Sequence, residues 1–410
     1  MKILHIIAQL PGQTGSGIYY QNLINGLASY GIDNALIYAE QKENPVSFIN
    51  FPTYPVHFMT EKLPFPIVGM SDSMPYSSSK YSELTYHQIS TWHNAFTQQL
   101  IRAKNEFQPD IVISHHLWFL TSLTLDIFDD CPVVGVSHGT DIRQAKHSPI
   151  LKNSYVQELE RLAMVFALSH QDKRTVQKVF NIPAEKIHVT GNGYNPYVFN
   201  RKENSASHHK NIKILYAGKI TESKGVFELA KAYLNLKKKY PEIELSIVGN
   251  GNRTSTNYLV QLLKSLDTND YQLLNAISQV KLAELMKNSD LFVLPSYYEG
   301  LATIALEALA CGLRVVSTNL LPLKDLLGDA INESGIIEYV DLPRIVNLDQ
   351  PVKNDLPKFQ SDLEKAISIQ IDRLKKEDKL SASIYEDIAQ FSWPKIIQKQ
   401  YSLLVSLKQD

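Results

Sequence analysis

An α/β fold built as two successive halves is what this sequence predicts, and three observations predict it. Short, continuous apolar runs recur along the chain between amphipathic stretches, the pattern of parallel strands buried on both faces and covered by helices. The alternation halts at a polar stretch without periodicity, residues 201–211, and then restarts. In each half the first apolar run leads into a glycine-containing loop, with Gly12, Gly15 and Gly17 in the first and Gly218 and Gly225 in the second.

Composition bounds the rest. At 410 residues, with 44% hydrophobic and 20% charged residues, the chain can bury a large core and has room for two domains. A formal net charge of −1 sets up no field that would recruit nucleic acid or an anionic membrane. The two cysteines, Cys131 and Cys311, stand one in each half, which argues for a reducing compartment and against a disulfide framework or thiolate zinc. No apolar stretch approaches the length of a membrane span, and the apolar start at residues 3–8 runs into a glycine-rich loop with no signal-peptide pattern. A cytoplasmic location is the expectation.

The first strand is expected over residues 3–8, and a helical stripe of Ile18, Leu23, Ile24 and Leu27 follows its glycine-rich turn. That turn lets backbone approach a ligand and aims N–H groups at it, but it matches neither the dinucleotide pattern nor a Walker A loop. Phosphate contact and tight packing are equally good readings of it. A second strand is expected over 34–39. Residues 60–90, with Pro64, Pro66, Pro75, Tyr76 and Tyr81, read as a flexible insertion or a functional binding loop.

Trp92, Phe96, Leu100, Ala103 and Phe107 mark one face of a helix, and residues 110–114 a strand ending at His115 and His116. No carboxylate or cysteine stands at ligand spacing from this histidine pair, so packing or substrate contact is the better reading than metal. Strands are expected over 132–137, 164–168 and 186–190, with a helix over 171–180 before the last of them. At the end of the 132–137 strand stand His138, Gly139, Thr140 and Asp141, where a titratable side chain is well placed for chemistry. A histidine capping the sheet is the competing structural reading.

In the second half, strands are expected over 213–217, 244–248, 271–274, 290–295, 313–317 and 336–340. Helices are expected over 226–238, 255–266 and 303–311, with irregular chain over 341–358 and helices beyond. Lys219 and Lys224 flank the tight loop from Gly218 to Gly225 at the carboxyl end of a strand. Ammonium groups there suit phosphate oxygens, and a solvated charge cluster is the alternative. Glu299 lies in the loop before the 303–311 helix and Glu307 inside it, with seven residues between them. The N–H groups of Gly300, Leu301, Ala302 and Thr303 form a helix start that seats phosphate. A carboxylate on each side of such a seat suits the hydroxyl pairs of a sugar and a ribose. Two merely solvating carboxylates remain the alternative on spacing alone.

The set of Gly218, Lys219, Lys224 and Gly225, the run from Leu294 to Gly300, and the run from Glu307 to Gly312 resembles glycosyltransferase family 4, retaining enzymes of the GT-B fold that use nucleotide-sugar donors. The stretch from His138 to Asp141, Asn192 with Gly193, and the N-terminal glycine-rich loop fit as well, so the resemblance spans nearly the whole chain. It implies two Rossmann-like doubly wound domains facing across a cleft, an acceptor domain over 1–200 and a donor domain over 211–389. A final helix over 390–410 would cross back to the first domain.

The resemblance also implies roles. Lys219, Lys224 and the backbone N–H groups of Gly15, Ser16 and Gly17 would neutralise the donor diphosphate. Glu307 would hold the ribose hydroxyls, and Glu299 with the N–H groups of Gly300, Leu301 and Ala302 would grip the transferred sugar. His138 would sit near that sugar's 6-hydroxyl, so the catalytic set is His138, Glu299 and Lys224. Lys219 stands where the family often has Arg, Ala302 where it has a second Gly, and Asn195 where it has Asp.

The expected activity is transfer of a hexosyl unit from a nucleoside-diphosphate sugar to a hydroxyl acceptor, a glycan, glycolipid or small molecule. A uracil-linked hexose is the first expectation and a guanine-linked mannose the second. No metal or other cofactor is expected, because no Asp-x-Asp pair occurs in the chain. With no nucleophile and acid/base pair to assign, front-face attack is the expected route to retention. Nucleic acid is not an expected partner, and peripheral membrane contact stays open. The competing readings are a nucleotide-sugar epimerase, a glycan phosphorylase and a non-catalytic nucleotide-sugar binder.

Overall fold

The computed structural model describes residues 1–410 except 13, 42–44, 47–49, 72–73, 202–210, 268–269, 348, 377–379 and 409–410. The chain divides into two compact units: Met1–Asn192 together with Trp393–Asp410, and Gly193–Ser392. Most of the polar stretch at 201–211 lies outside the described residues.

The first unit begins with β1 (Lys2–Ile7), α1 (Gly15–Ala28), β2 (Asp33–Gln41) and β3 (Thr53–Phe58). Two short strands, β4 (Val68–Gly69) and β5 (Ser79–Lys80), pair with each other before α2 (Tyr86–Phe107). There follow β6 (Ile111–His115), α3 (Phe119–Ile127), β7 (Val133–Val136), α4 (Thr140–His147), α5 (Pro149–Tyr155), β8 (Met164–Ala167), α6 (His170–Phe180) and β9 (Ile187–Val189). Seven of these strands form one parallel sheet in the order β3-β2-β1-β6-β7-β8-β9. Its inner strands are mostly apolar because helices cover both faces, and β6, β7 and β8 are buried along their whole length, Ser114 and His115 of β6 included.

The expected elements of this half are present, with two differences. Ile18 points outward, and the buried stripe of α1 is instead Gly17, Tyr19, Tyr20, Leu23, Ile24 and Leu27. The stretch expected over 60–90 as a flexible insertion or a binding loop is also anchored by its apolar side chains. Leu63, Phe65, Ile67, Val68, Met70 and Tyr81 are buried in the core of this unit.

The second unit carries β10 (Ile212–Ala217), α7 (Val226–Lys239), β11 (Ile243–Val248), α8 (Arg253–Leu263), β12 (Tyr271–Leu274) and α9 (Gln279–Lys287). Then come β13 (Leu291–Leu294), α10 (Thr303–Ala310), β14 (Arg314–Thr318), α11 (Leu321–Glu333) and β15 (Ile337–Val340). A two-stranded ladder of β16 (Ile345–Val346) and β17 (Gln350–Pro351) precedes α12 (Leu356–Lys375) and α13 (Ala382–Ala389). The six-stranded sheet is parallel, in the order β12-β11-β10-β13-β14-β15. In both sheets the order reverses beside the first strand, at β1/β6 and at β10/β13. The crevice outside the carboxyl ends of such a pair is where open α/β sheets bind ligands.

The last helix, α14 (Trp393–Ser406), belongs to the first unit. Gly26 of α1 makes room for Ile397, whose Cδ1 lies 2.0 Å from where a Cβ on that glycine would stand. Tyr401 stacks on Tyr30 with ring centroids 4.4 Å apart, and Gln400 donates to Thr190 Oγ1 over 3.1 Å and to the Tyr19 hydroxyl.

Candidate functional site

At the β10/β13 edge of the second unit, the loop after β10 and the loop after β13 are locked together by backbone. Tyr297 N donates to Ser223 O over 3.0 Å. Gly225, at φ 62°, closes the first loop and opens α7, and a Cβ there would stand 2.1 Å from Pro295 O. Only glycine fits that approach. The consequence is an ion pair across 75 residues of sequence: Lys224 Nζ lies 2.7 Å from Glu299 Oε1, with both side chains about three-quarters buried. Lys219 sits on the same loop, its carbonyl accepting from the buried Tyr216 hydroxyl over 2.8 Å, its side chain exposed.

Beside this pair α10 begins. Ala302 occupies its N-cap, and no side chain caps the helix. An uncapped start leaves N–H dipoles pointing at the loop, a seat for anionic oxygen. Gly300 is exposed and a Cβ there would meet nothing, so its backbone is open to a ligand. Thr303 donates its hydroxyl to Leu301 O over 3.0 Å. Glu307, in the second turn of α10, is half-buried, and burial pushes its carboxyl up to about 7. A carboxyl so desolvated is ready to be met by hydroxyl donors.

In the first unit, His138 lies in the loop between β7 and α4. Asp141 is fully buried and anchors the turn: its carboxylate accepts from Leu117 N (2.9 Å), Ile142 N (3.0 Å), Ser137 Oγ (3.2 Å) and His138 N (3.3 Å). Burial raises the Asp141 pKa. The His138 ring meets His115 through a 3.0 Å contact between His115 Nδ1 and His138 Nε2, and packs edge-on against Tyr19 at 5.2 Å. Burial, with His116 and His115 nearby, holds His138 well below the usual histidine range, so the imidazole is neutral. His116 is buried at φ 72°, with both ring nitrogens unpartnered among the described residues.

The glycine-rich turn is the first turn of α1. Thr14 caps it, accepting from Gly17 N over 3.0 Å, and Gln9 Nε2 donates to Thr14 Oγ1 (2.7 Å) and Ser16 Oγ (2.6 Å). A Cβ on Gly17 would stand 2.5 Å from Gly12 N, so packing alone requires that glycine, whereas Gly15 faces open space. Among the described residues, no group of three or more His, Cys, Asp or Glu side chains is placed to hold a metal ion.

With this geometry in view, two family models divide the chain. The one described as Glycosyltransferase Family 4 matches residues 14–197, and the one described as Glycosyl transferases group 1 matches 199–340. The chain belongs to the family 4 glycosyltransferases. An uncharacterized glycosyltransferase of Methanocaldococcus jannaschii is 27% identical over 250 residues, 57% of this chain and 63% of the relative. The chain therefore spans somewhat less than two-thirds of that relative's length. In three dimensions it is similar to the sucrose-phosphate synthase of Thermosynechococcus elongatus (TM-score 0.65, 16% identity, 99% and 98% of the two chains). It is likewise similar to HepE of Anabaena in complex with UDP and glucose (TM-score 0.57, 16% identity, 99% and 100%). The fold is GT-B, two parallel-sheet α/β units.

Within this glycosyltransferase, the residues singled out in the second half share one sheet edge. Lys224 and Glu299 touch, Lys219 lies on the same loop as Lys224, and the residues from Gly300 to Glu307 continue from Glu299 into α10. Gly15, Ser16, Gly17 and His138 stand at carboxyl ends of the other unit's strands, the glycines after β1 and His138 after β7. Sequence reasoning missed Tyr216, Gln9 and the contact between His115 and His138. Tyr216 reads only as one more apolar strand residue, and the other two act through partners that spacing does not reveal. The unusual sequence His115-His116 was the available signal for the third.

Proposed function

We propose that the chain is a retaining glycosyltransferase that moves a hexosyl unit from a nucleoside-diphosphate sugar to a hydroxyl acceptor without a metal ion. The observation that carries this reading is the Lys224–Glu299 pair beside the uncapped start of α10. A cation, an anion and helix-end dipoles then stand side by side at one sheet edge. Transfer must stabilise a departing diphosphate and an oxocarbenium-like carbon. Lys224, Lys219 and the N–H groups at the start of α10 supply positive potential to the first. Glu299 accepts hydroxyls of the transferred sugar and lends negative charge near the second. Glu307 accepts the ribose hydroxyls.

His138 has the role that family resemblance gives it, a hydrogen bond to the transferred sugar. In the chemical step, the bond from the anomeric carbon to the diphosphate oxygen breaks and a bond to the acceptor oxygen forms on the same face. The acceptor's proton passes to the departing phosphate, and the products are a glycoside and a nucleoside diphosphate. Comparison supports the donor class: HepE, which shares this fold, was solved with UDP and glucose. A uracil-linked hexose is the first donor to try.

The test is incubation of purified protein with UDP- and GDP-sugars without acceptor, reading nucleotide and sugar separately. A transferase releases free sugar and nucleoside diphosphate slowly. Formation of an isomeric nucleotide sugar instead would make the protein an epimerase. Glu299→Ala is expected to abolish turnover while nucleotide binding persists.

A further inference from the structure

We propose that His115 is a positioning residue that fixes His138 in its Nδ1–H tautomer, so that His138 meets substrate as a hydrogen-bond donor and not as a general base. The 3.0 Å contact between His115 Nδ1 and His138 Nε2 joins two neutral imidazoles, so one nitrogen carries the hydrogen and the other the lone pair. The second nitrogen of His115 settles which. His115 is fully buried, and its Nε2 has no hydrogen-bond partner among the described residues. Were the hydrogen on Nε2, a buried N–H would be stranded, whereas a bare lone pair is the cheaper omission.

His5, on the neighbouring strand, shows the same economy. Its Nε2 contacts Asn34 Oδ1 at 2.9 Å, and Asn34 Nδ2 is committed to Ile32 O at 3.0 Å, so the amide oxygen faces the ring and His5 Nε2 must donate. The nitrogen that His5 leaves unpartnered is therefore the lone pair on Nδ1. By the same logic His115 carries its hydrogen on Nδ1 and donates to His138 Nε2. His116 is the exception to this economy: neither of its ring nitrogens has a hydrogen-bond partner among the described residues, so it strands one N–H in either tautomer and does not discriminate between the two arrangements of His115.

With Nε2 occupied as an acceptor, His138 has its hydrogen on Nδ1 and no spare lone pair with which to take a proton. Resting on the transferase reading above, this assigns the acceptor's proton to the departing phosphate and gives His138 the task of donating to a substrate oxygen. Asp141 holds the backbone of His138, and the Tyr19 edge at 5.2 Å limits ring rotation.

The deciding experiment is two-bond ¹⁵N–¹H correlation NMR of full-length protein labelled at histidine ring nitrogens, with His138→Gln and His115→Asn used to assign the signals. The result expected is that His138 and His115 are both protonated at Nδ1. Protonation of His138 at Nε2, with the His115 Nε2–H directed at the face of Tyr20 (centroids 5.1 Å apart), would overturn the proposal. His115→Asn, whose amide can donate from the same place, should keep the His138 signature and turnover close to wild type. His115→Leu should lose the signature and lower kcat about tenfold, the worth of one hydrogen bond, with KM for the donor little changed. Retention of the Nδ1–H signature in His115→Leu also counts against it. Because the tautomer is read without turnover, failure of this inference is distinct from failure of the transferase reading.

Discussion

At the scale of single residues, Glu307 gives the sharpest test, because its carboxyl has no ion-pair partner among the described residues and burial alone moves it. Its pKa rises from 4.5 to about 7 on folding. Between those values the folded chain holds a proton that the unfolded chain has released. The group therefore costs nothing below pH 4.5, and its destabilisation grows as pH rises through 7. Glu307→Gln should raise stability by about 3 kcal/mol at pH 8 and leave it unchanged at pH 4, read as the difference between paired denaturation curves. Ribose hydroxyls donating to the charged form would pull the pKa back down. Binding of a nucleoside diphosphate at pH 7 should then release about half a proton, measured by calorimetry in buffers of different ionisation enthalpy. Asp141 is also pushed up by burial, but unlike Glu307 it accepts from four donors that offset part of that push. Asp141→Ala should cost about 3 kcal/mol in urea unfolding, because it strands those donors.

At the scale of elements, the close approach of Gly225 to Pro295 O holds the β10 and β13 loops in register. Gly225→Ala should cost about 3 kcal/mol from the left-handed φ and the overlap together. It should also weaken nucleotide binding by pulling Lys224 from Glu299, read by thermal melts with and without nucleoside diphosphate. The same scale shows what the sequence can reveal. The buried parallel strands were legible because both of their faces are covered, so they read as unbroken apolar runs. The strand β3 was not, since it lies at the sheet edge, carries Pro55 and alternates buried and open positions. Leu63, Phe65 and Ile67 hid their core role for a related reason, since they alternate with Pro64 and Pro66, which demote a strand pattern. The Lys224–Glu299 pair was foreseeable only as two loops at one sheet edge. Its contact depends on the backbone lock that Gly225 permits.

At the scale of the whole molecule, the chain begins and ends in the same unit, and α14 completes a surface that α1 cannot cover alone. Truncation after Ser392 would uncover Gly26, Tyr30 and the Tyr19–Thr190–Gln400 cluster. It should lower the melting temperature of that unit and expose apolar surface to a hydrophobic dye. On the proposed transferase reading, lysine ammonium groups and helix-end dipoles would perform at the donor diphosphate what a cation does elsewhere. The measurement that tests this most directly is the rate of nucleoside diphosphate release in excess EDTA, compared for wild type and Lys224→Ala. The account predicts an unchanged wild-type rate and a Lys224→Ala rate lower by about a hundredfold, the worth of a charge-assisted contact in the transition state. Loss of wild-type activity in EDTA that Mg²⁺ restores would contradict it.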